Sequence, residues 1–279
     1  MKYYSSKTIF FISIFAIFFT ACKNENSSNN QEILIPQENI KVRIPKFDGK
    51  AAKEFIAKQV SFGTRVTGSK GHQECKNWLT SQFKSLGAEV IEQNFTTTTF
   101  NNVKLNATNI IARFNPNVQE RIILSAHYDT RPFAEKDPNP MRQSDPILGA
   151  DDAGSGVGVL LEIAKLLQLN PIPMGVDILL FDAEDYGQPE NSDFPIMRNS
   201  WCLGSQYWSN NPHKPNYFAQ YGILLDMVGA KEATFRHEQI SFYYASNILQ
   251  KVWRKASRLG FGNHFVFESA NQILDDHYY

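Results

Sequence analysis

The sequence predicts an α/β fold: a single domain with a central mixed, mostly parallel twisted sheet and helices on both faces. Three observations carry that expectation. Short continuous apolar runs, Arg121 to Asp129, Val176 to Asp185 and Tyr221 to Asp226, alternate with helical patterns, as centrally buried parallel strands do. Leu148 to Gln168 passes from two aspartates and a Gly-Ser-Gly turn straight into a helix that is apolar almost all round. Val157, Leu160, Leu161, Ala164 and Leu167 share one face, while Val159, Ile163 and Leu166 cover much of the rest. The chain shows no internal repeat, and 279 residues with 42% hydrophobic content supply one large core.

The elements follow in order. Lys2 and Lys7 precede the apolar run Ile9 to Phe19, which is too short to span a bilayer and fits a secretory leader over residues 1–21. Thr20-Ala21-Cys22 is similar to a bacterial lipobox, with Phe19 unusual at its first position. It implies lipidation of Cys22, an exported protein and a membrane anchor on the periplasmic or cell-surface side. The plain alternative is an ordinary leader with a chance cysteine. Residues 22–45, rich in Asn and Ser, read as a flexible tether.

Asp48 can cap a helix carrying Phe55, Ile56 and Val60. Ser69 can cap a second, with Cys75, Trp78, Leu79, Phe83 and Leu86 at helical spacing until Gly87. Ala88 to Phe95 and Val103 to Phe114 read as a β-hairpin leading into the strand that ends at His127. Residues 128–148 and 186–200 form long loops at strand ends, where sites get their walls. Gly204 to Trp208 enters a helix, and Tyr243 to Leu259 forms a core-facing one stopped by Gly260. The pattern then halts just after Asp275-Asp276-His277, so a terminal strand and helix are expected to be missing. Cys75 reads as a buried free thiol, and its spacing to Cys202 leaves a disulfide open.

The chemistry lies at the strand ends. In open α/β sheets ligands bind beyond the carboxyl ends of the strands, and those ends carry His127, Asp129, Glu184, Asp185 and Asp226, with Asp152 at the head of the intervening helix. Asp152 alone reads equally well as a helix cap. Several acids converging from separate elements repel one another unless they are protonated or neutralised by a cation, and a metal is the economical solution. Lys plus Arg balance Asp plus Glu at 28 each, so no basic surplus points to nucleic acid.

Ser125 to Thr130, Gly149 to Gly156, Asp182 to Gly187, Leu224 to Met227 and Asp275 to His277, in that order and spacing, resemble the zinc aminopeptidase superfamily. Within it they resemble the glutaminyl cyclases of bacterial lipoprotein type. The resemblance covers residues 48–279, and the domain it implies, 46–279, has the phosphorylase/hydrolase-like fold of zinc exopeptidases. It implies zinc held by Asp152 and Asp185, Glu184 as proton shuttle, Asp226 and Asp275 as hydrogen-bonding acids around the reacting centre, and Trp201 in the substrate pocket. It also implies peptide or protein substrates with N-terminal glutamine, converted to pyroglutamate with release of ammonia, and a monomer. One zinc is expected for a cyclase. Two are expected for the alternative, an aminopeptidase, in which residues like His127, Asp152 and Asp226 all bind metal. The remaining zinc ligand of the family is a histidine expected beyond Tyr279, with His127 or His277 as substitutes. The His127-Tyr-Asp129-Thr-Arg131-Pro132 run, the Glu184-Asp185 pair and the Gly204 to Trp208 segment look like cyclases. A third possibility, a peptide-binding lipoprotein that has lost catalysis, does not explain why Glu184 is present.

Overall fold

The computed structural model of the protein describes residues 44–279. The expected leader, Cys22 and nearly all of the expected tether lie outside the described residues. Asp48 caps α1 (Gly49–Val60) by accepting from the N–H groups of Lys50 and Ala51, and Ser69 caps α2 (Lys70–Ser85) by accepting from His72 N. The hairpin follows as β1 (Glu89–Thr98) and β2 (Lys104–Phe114), and the chain then enters β3 (Arg121–His127). Next come α3 (Gly154–Leu169), β4 (Gly175–Phe181), α4 (Leu203–Asn210) and β5 (Gly222–Leu224). The last elements are β6 (Phe235–His237), α5 (Gln239–Arg258), β7 (Phe265–Ser269) and a single 3-10 turn, Asp276–Tyr278.

The main sheet runs β1-β2-β4-β3-β5. It is mixed, with two antiparallel and two parallel pairings, rather than mostly parallel. The hairpin is the reason: its short turn forces β2 antiparallel to β1, and β2 then docks antiparallel on β4 from Ile110↔Leu180 to Phe114↔Val176. The parallel half, β4-β3-β5, is the part predicted from the apolar runs. Every residue of β4 is buried, because the sheet is covered on both sides. Ile110, Ala112, Ile178 and Leu180 pack on one face against Leu79 and Phe83 of α2 and Leu160, Leu161 and Ala164 of α3. Ile111, Leu179 and Phe181 point the other way, toward Trp208 of α4.

Two details set α3 relative to the strand ends. A side chain at Gly156 would collide with the carbonyl of Leu225 and approach the Ala126 side chain at 3.1 Å, so the glycine lets the helix touch the backbone beside Asp226. The α3 N-terminus is also not capped by Asp152. Its cap position is Ala153, without a side-chain hydrogen bond, and that frees the Asp152 carboxylate for other contacts.

The reading of Tyr243 to Leu259 as a core-facing helix needs correction. Leu249 and Ala256 of α5 are buried, but Tyr243 and Tyr244 stay exposed, and helical geometry is interrupted at Ala245. The helix packs on the separate parallel pair β6-β7 rather than on the main sheet, with Trp253 Nε1 donating to Phe235 O and Val266 O.

Glu238 ties this pair of strands to the end of the chain. It caps α5 by accepting from Ile240 N and Ser241 N, accepts from Ile273 N at 3.1 Å, and meets His277 Nε2 at 3.2 Å. Partial burial alone would raise its pKa, but the hydrogen bonds to the charged carboxylate dominate and bring it from 4.5 down to about 2. A depressed carboxylate contributes stability that is present above its unfolded value and lost as pH falls through the folded one. Glu238→Gln is therefore expected to be less stable than the wild type near neutral pH by about 1 kcal/mol, the scale of a lost helix cap. The difference should shrink as pH falls from 4.5 to about 2. Urea midpoints across that range check it, and a constant gap contradicts the role of the charge.

Candidate active site

The parallel strands deliver their acids to one place. β3 ends at His127, with Tyr128 N pairing with Phe181 O and Leu225 N with Ser125 O, so the residues just past β3, β4 and β5 lie side by side. His127 is the hub. Its Nε2 lies 2.9 Å from Asp152 Oδ1 and 3.3 Å from Asp226 Oδ1, and its Nδ1 lies 3.4 Å from Asp129 and 3.9 Å from Glu184 Oε2.

A buried polar framework holds these groups. Asp129 accepts from the backbone N–H groups of both Glu184 and Asp185, at 3.1 Å each, and so fixes the acidic pair through its main chain. Asp182, one turn earlier, accepts from Thr67, Tyr128 OH and the N–H groups of Thr108 and Ala183, and meets His72 Nε2. It secures the end of β4 and takes no place in the cluster around His127. The fully buried Arg65 donates to Tyr128 O, Leu148 O and Gly149 O, pinning the loop that leads to Asp152. Ser155 Oγ donates to Asp151 O and accepts from Val228 N, tying that loop to the segment after Asp226. Ala183 and Met227, each next to a site acid, take left-handed backbone angles that non-glycine residues seldom adopt.

The electrostatics follow from crowding. Burial, with Asp185, Asp276 and Asp129 as neighbours, raises the Glu184 pKa well above the usual carboxylate range even though His127 opposes the shift. Burial and then the charge of Asp152 push Asp185 up to about 8. Burial works against a protonated His127, but hydrogen bonds to Asp129, Asp152 and Asp226 outweigh it and raise its pKa. Asp275 is raised by burial and then by Asp226, whereas Asp226 is held down despite burial by His127, with a hydrogen bond to Asp275 adding to the effect.

Among the described residues three groups of side chains converge closely enough to hold a cation, each with ligand atoms within 4.8 Å of one another: two share His127, one with Glu184 and Asp185 and one with Asp152 and Asp226, and the third is Glu184, Cys202 and Asp275. The donors of the two His127 groups are carboxylate oxygens and an imidazole nitrogen, a set suited to a divalent metal. Buried Asp185 Oδ2 lacks a hydrogen-bond partner, as expected of an oxygen free to bind a cation. Asp152 and Asp185 fall in separate groups that share His127, and the residues present fit a divalent metal there. His277, the other candidate substitute ligand, is turned to Glu238 and belongs to none of these groups.

The sequence from residue 109 to 279 matches the family model for peptidase family M28. The chain belongs to that family. Among solved structures, this M28 chain is similar to a Zn-dependent exopeptidase from Parabacteroides distasonis, with 46% identity, a TM-score of 0.83 and coverage of 85% of this chain and 80% of that one. It is equally similar to a Bacteroides thetaiotaomicron glutaminyl cyclase crystallised with N-acetylhistamine, at 43% identity, TM-score 0.83, and 85% and 81% coverage. A Drosophila melanogaster glutaminyl-peptide cyclotransferase is 26% identical over 183 residues, which are 61% of this chain and 46% of that protein. The chain spans about half the length of the curated relatives it matches. The zinc-exopeptidase and glutaminyl-cyclase fold expected from the sequence is the one it has.

The structure brings Asp152, Glu184, Asp185, Asp226 and Asp275 into one neighbourhood. Trp201 stands at its edge, where its ring lies over the Gly187 backbone and the Arg131 guanidinium sits 4.2 Å from the ring centre. Sequence reasoning placed Asp129 among the strand-end acids without giving it a role, and passed over two further contributors. Asp276 lay inside the Asp-Asp-His motif, and its carboxyl is buried with neither oxygen bonded and a pKa raised by burial and Asp275 to about 8. Cys202 gave no signal.

Asp152→Ala is expected to lose bound divalent metal while keeping its helical circular dichroism, since this residue does not cap α3. Elemental analysis of the purified variant decides it, and a wild-type metal content would remove Asp152 from the metal centre.

Proposed function

We propose that this M28 protein is a zinc-dependent glutaminyl-peptide cyclotransferase, acting on peptides or proteins with N-terminal glutamine to give pyroglutamate and ammonia. The observation that carries the reading is the buried Glu184 carboxylate. It is made strongly basic by its surroundings and stands beside the Asp152, Asp185 and His127 cluster, in a chain more than two-fifths identical to proteins described as glutaminyl cyclases. In our reading Asp152 and Asp185 hold the one zinc. When bound, that ion supplies Lewis-acid polarisation of the glutamine side-chain carbonyl.

The rest is the work of the chain. Glu184 takes a proton from the substrate α-amine as its nitrogen bonds to the side-chain carbonyl carbon, and passes a proton to the departing amide nitrogen, which leaves as ammonia. The raised pKa suits a group that must both accept and return a proton. Asp226, held by His127 and by Asp275, hydrogen-bonds around the reacting centre in concert with Asp275. Trp201, braced by Arg131 and Gly187, lines the pocket. Because nucleophile and electrophile belong to one residue of substrate, the site has only to align and dehydrate them. We further propose an exported monomer, anchored to a bacterial membrane through lipidated Cys22.

A second reading is an aminopeptidase with two metals. The close grouping of His127, Asp152 and Asp226 favours it, as does similarity to a Bacteroides thetaiotaomicron protein described as a leucine aminopeptidase precursor. There Glu184 would instead activate water.

Mass spectrometry of a glutamine-initiated peptide incubated with the protein separates the two. Loss of one ammonia is expected, whereas loss of a whole residue establishes the peptidase. Glu184→Gln should keep its metal and lose about a hundredfold in rate, the usual scale for general acid–base catalysis. Undiminished ammonia release by that variant refutes the assignment of the base.

A further inference from the structure

Cys202 has no part in the roles given above, yet its thiol ends on the carboxylate they depend on. Its Sγ lies 3.2 Å from Glu184 Oε1 in a buried contact between residues 18 apart in sequence. The other oxygen, Oε2, faces His127 Nδ1 at 3.9 Å, too far for a hydrogen bond. The main chain enforces the pairing, with Cys202 N donating to Glu184 O at 2.9 Å and Leu203 N to Ala183 O at 3.1 Å. Both Ala183 and Cys202 take left-handed angles, φ 55° and 58°, across this bridge. Two non-glycine residues held there mark a geometry that the surrounding structure imposes.

The chemistry of the pair suits an anchor. The terminal torsion of a glutamate side chain is broad, so nothing intrinsic fixes which way its two oxygens point. A thiol is a weak donor and orients a carboxylate without the strong stabilisation of a charged partner. Cys202 is fully buried and unpaired, as is Cys75, so no disulfide forms between them. Burial and the nearby Glu184 charge raise its pKa, which keeps the proton on sulfur.

We propose that Cys202 is a positioning residue for the base: its S–H holds Glu184 Oε1 and leaves Oε2, on the His127 side, as the oxygen that exchanges protons with substrate. This rests on the reading of Glu184 as the base, whichever reaction that base serves.

Cys202→Ser and Cys202→Ala test it, since they differ by one hydroxyl donor and neither places a β-branched side chain at a left-handed position. Cys202→Ala is expected to lower kcat for ammonia release about tenfold, the scale of one lost hydrogen bond, with KM and metal content unchanged. Cys202→Ser should recover most of the loss. Wild-type kcat in the alanine variant, or equal losses in both, overturns the proposal. If the wild type releases no ammonia, the cyclase reading fails, and the same comparison is made on peptide hydrolysis. A further measurement does not depend on turnover. The S–H stretching band of Cys202, isolated by subtracting the spectrum of Cys202→Ala, should lie below that of a thiol in apolar surroundings and should move in Glu184→Gln. A band that stays in place overturns the contact.

Discussion

The crowding of carboxylates around one imidazole is the constraint to which the rest of this structure answers. Asp129, Asp152, Glu184 and Asp226 all lie within 3.9 Å of His127 ring nitrogens, and Asp185 and Asp275 stand close behind. Like charges in a partly dehydrated site repel by several kcal/mol even at an effective dielectric of about 20. The assembly therefore persists only if some acids hold protons or a cation shares the space. The upward shifts of Asp185 and Glu184 are one response, and the donor set suits a divalent ion as the other. One arrangement thus fits both a cation and a carboxyl group with a raised pKa beside it.

Keeping that arrangement together requires a rigid support away from the chemistry. Arg121 makes a bidentate pair with the fully buried Asp177, which also accepts from Tyr217 OH, and this locks β3 to β4 at the end opposite the site. At the near end, Asp182 and Arg65 satisfy the backbone and side-chain donors and acceptors around the turns that carry Glu184 and Asp152. Breaking one member of such a buried network leaves its partners unsatisfied, which costs far more than the net worth of any single bond. The loops can be long and the site strained because the polar groups beneath them are already paired.

What the sequence disclosed and what it withheld divide along physical lines. Apolar runs that end in acids mark parallel strands and the side of the sheet where ligands bind, so β3, β4, β5 and the acids just past them were legible from one-dimensional pattern. Asp152 was ambiguous, because a helix cap and a metal ligand need the same residue type at the same place. The uncapped start of α3 removes the cap reading, and the 2.9 Å approach to His127 places Asp152 in the acid cluster. The antiparallel half of the sheet was seen as a hairpin but not placed, since nothing in β2 says which strand its second edge will meet. The partners of α5 were misjudged for a related reason: an apolar stripe says that a face is covered, and not by what. Cys202 was invisible because its meaning comes from contact with a residue far along the chain.

The same geometry also explains how one site can support two chemistries. Cyclisation and peptide hydrolysis both need a polarised carbonyl, a base that takes a proton from the nucleophile and an acid that returns it to departing nitrogen. They differ only in whether the nucleophile is the substrate amine or a water. In our reading the selection between them lies in how Asp226 is engaged. His127 Nε2 lies 3.3 Å from Asp226 Oδ1, and the same imidazole groups Asp226 with Asp152 closely enough for a cation. An Asp226 that keeps to hydrogen bonding leaves one metal and the substrate amine as nucleophile, and an Asp226 that joins Asp152 on a second ion gives water that role.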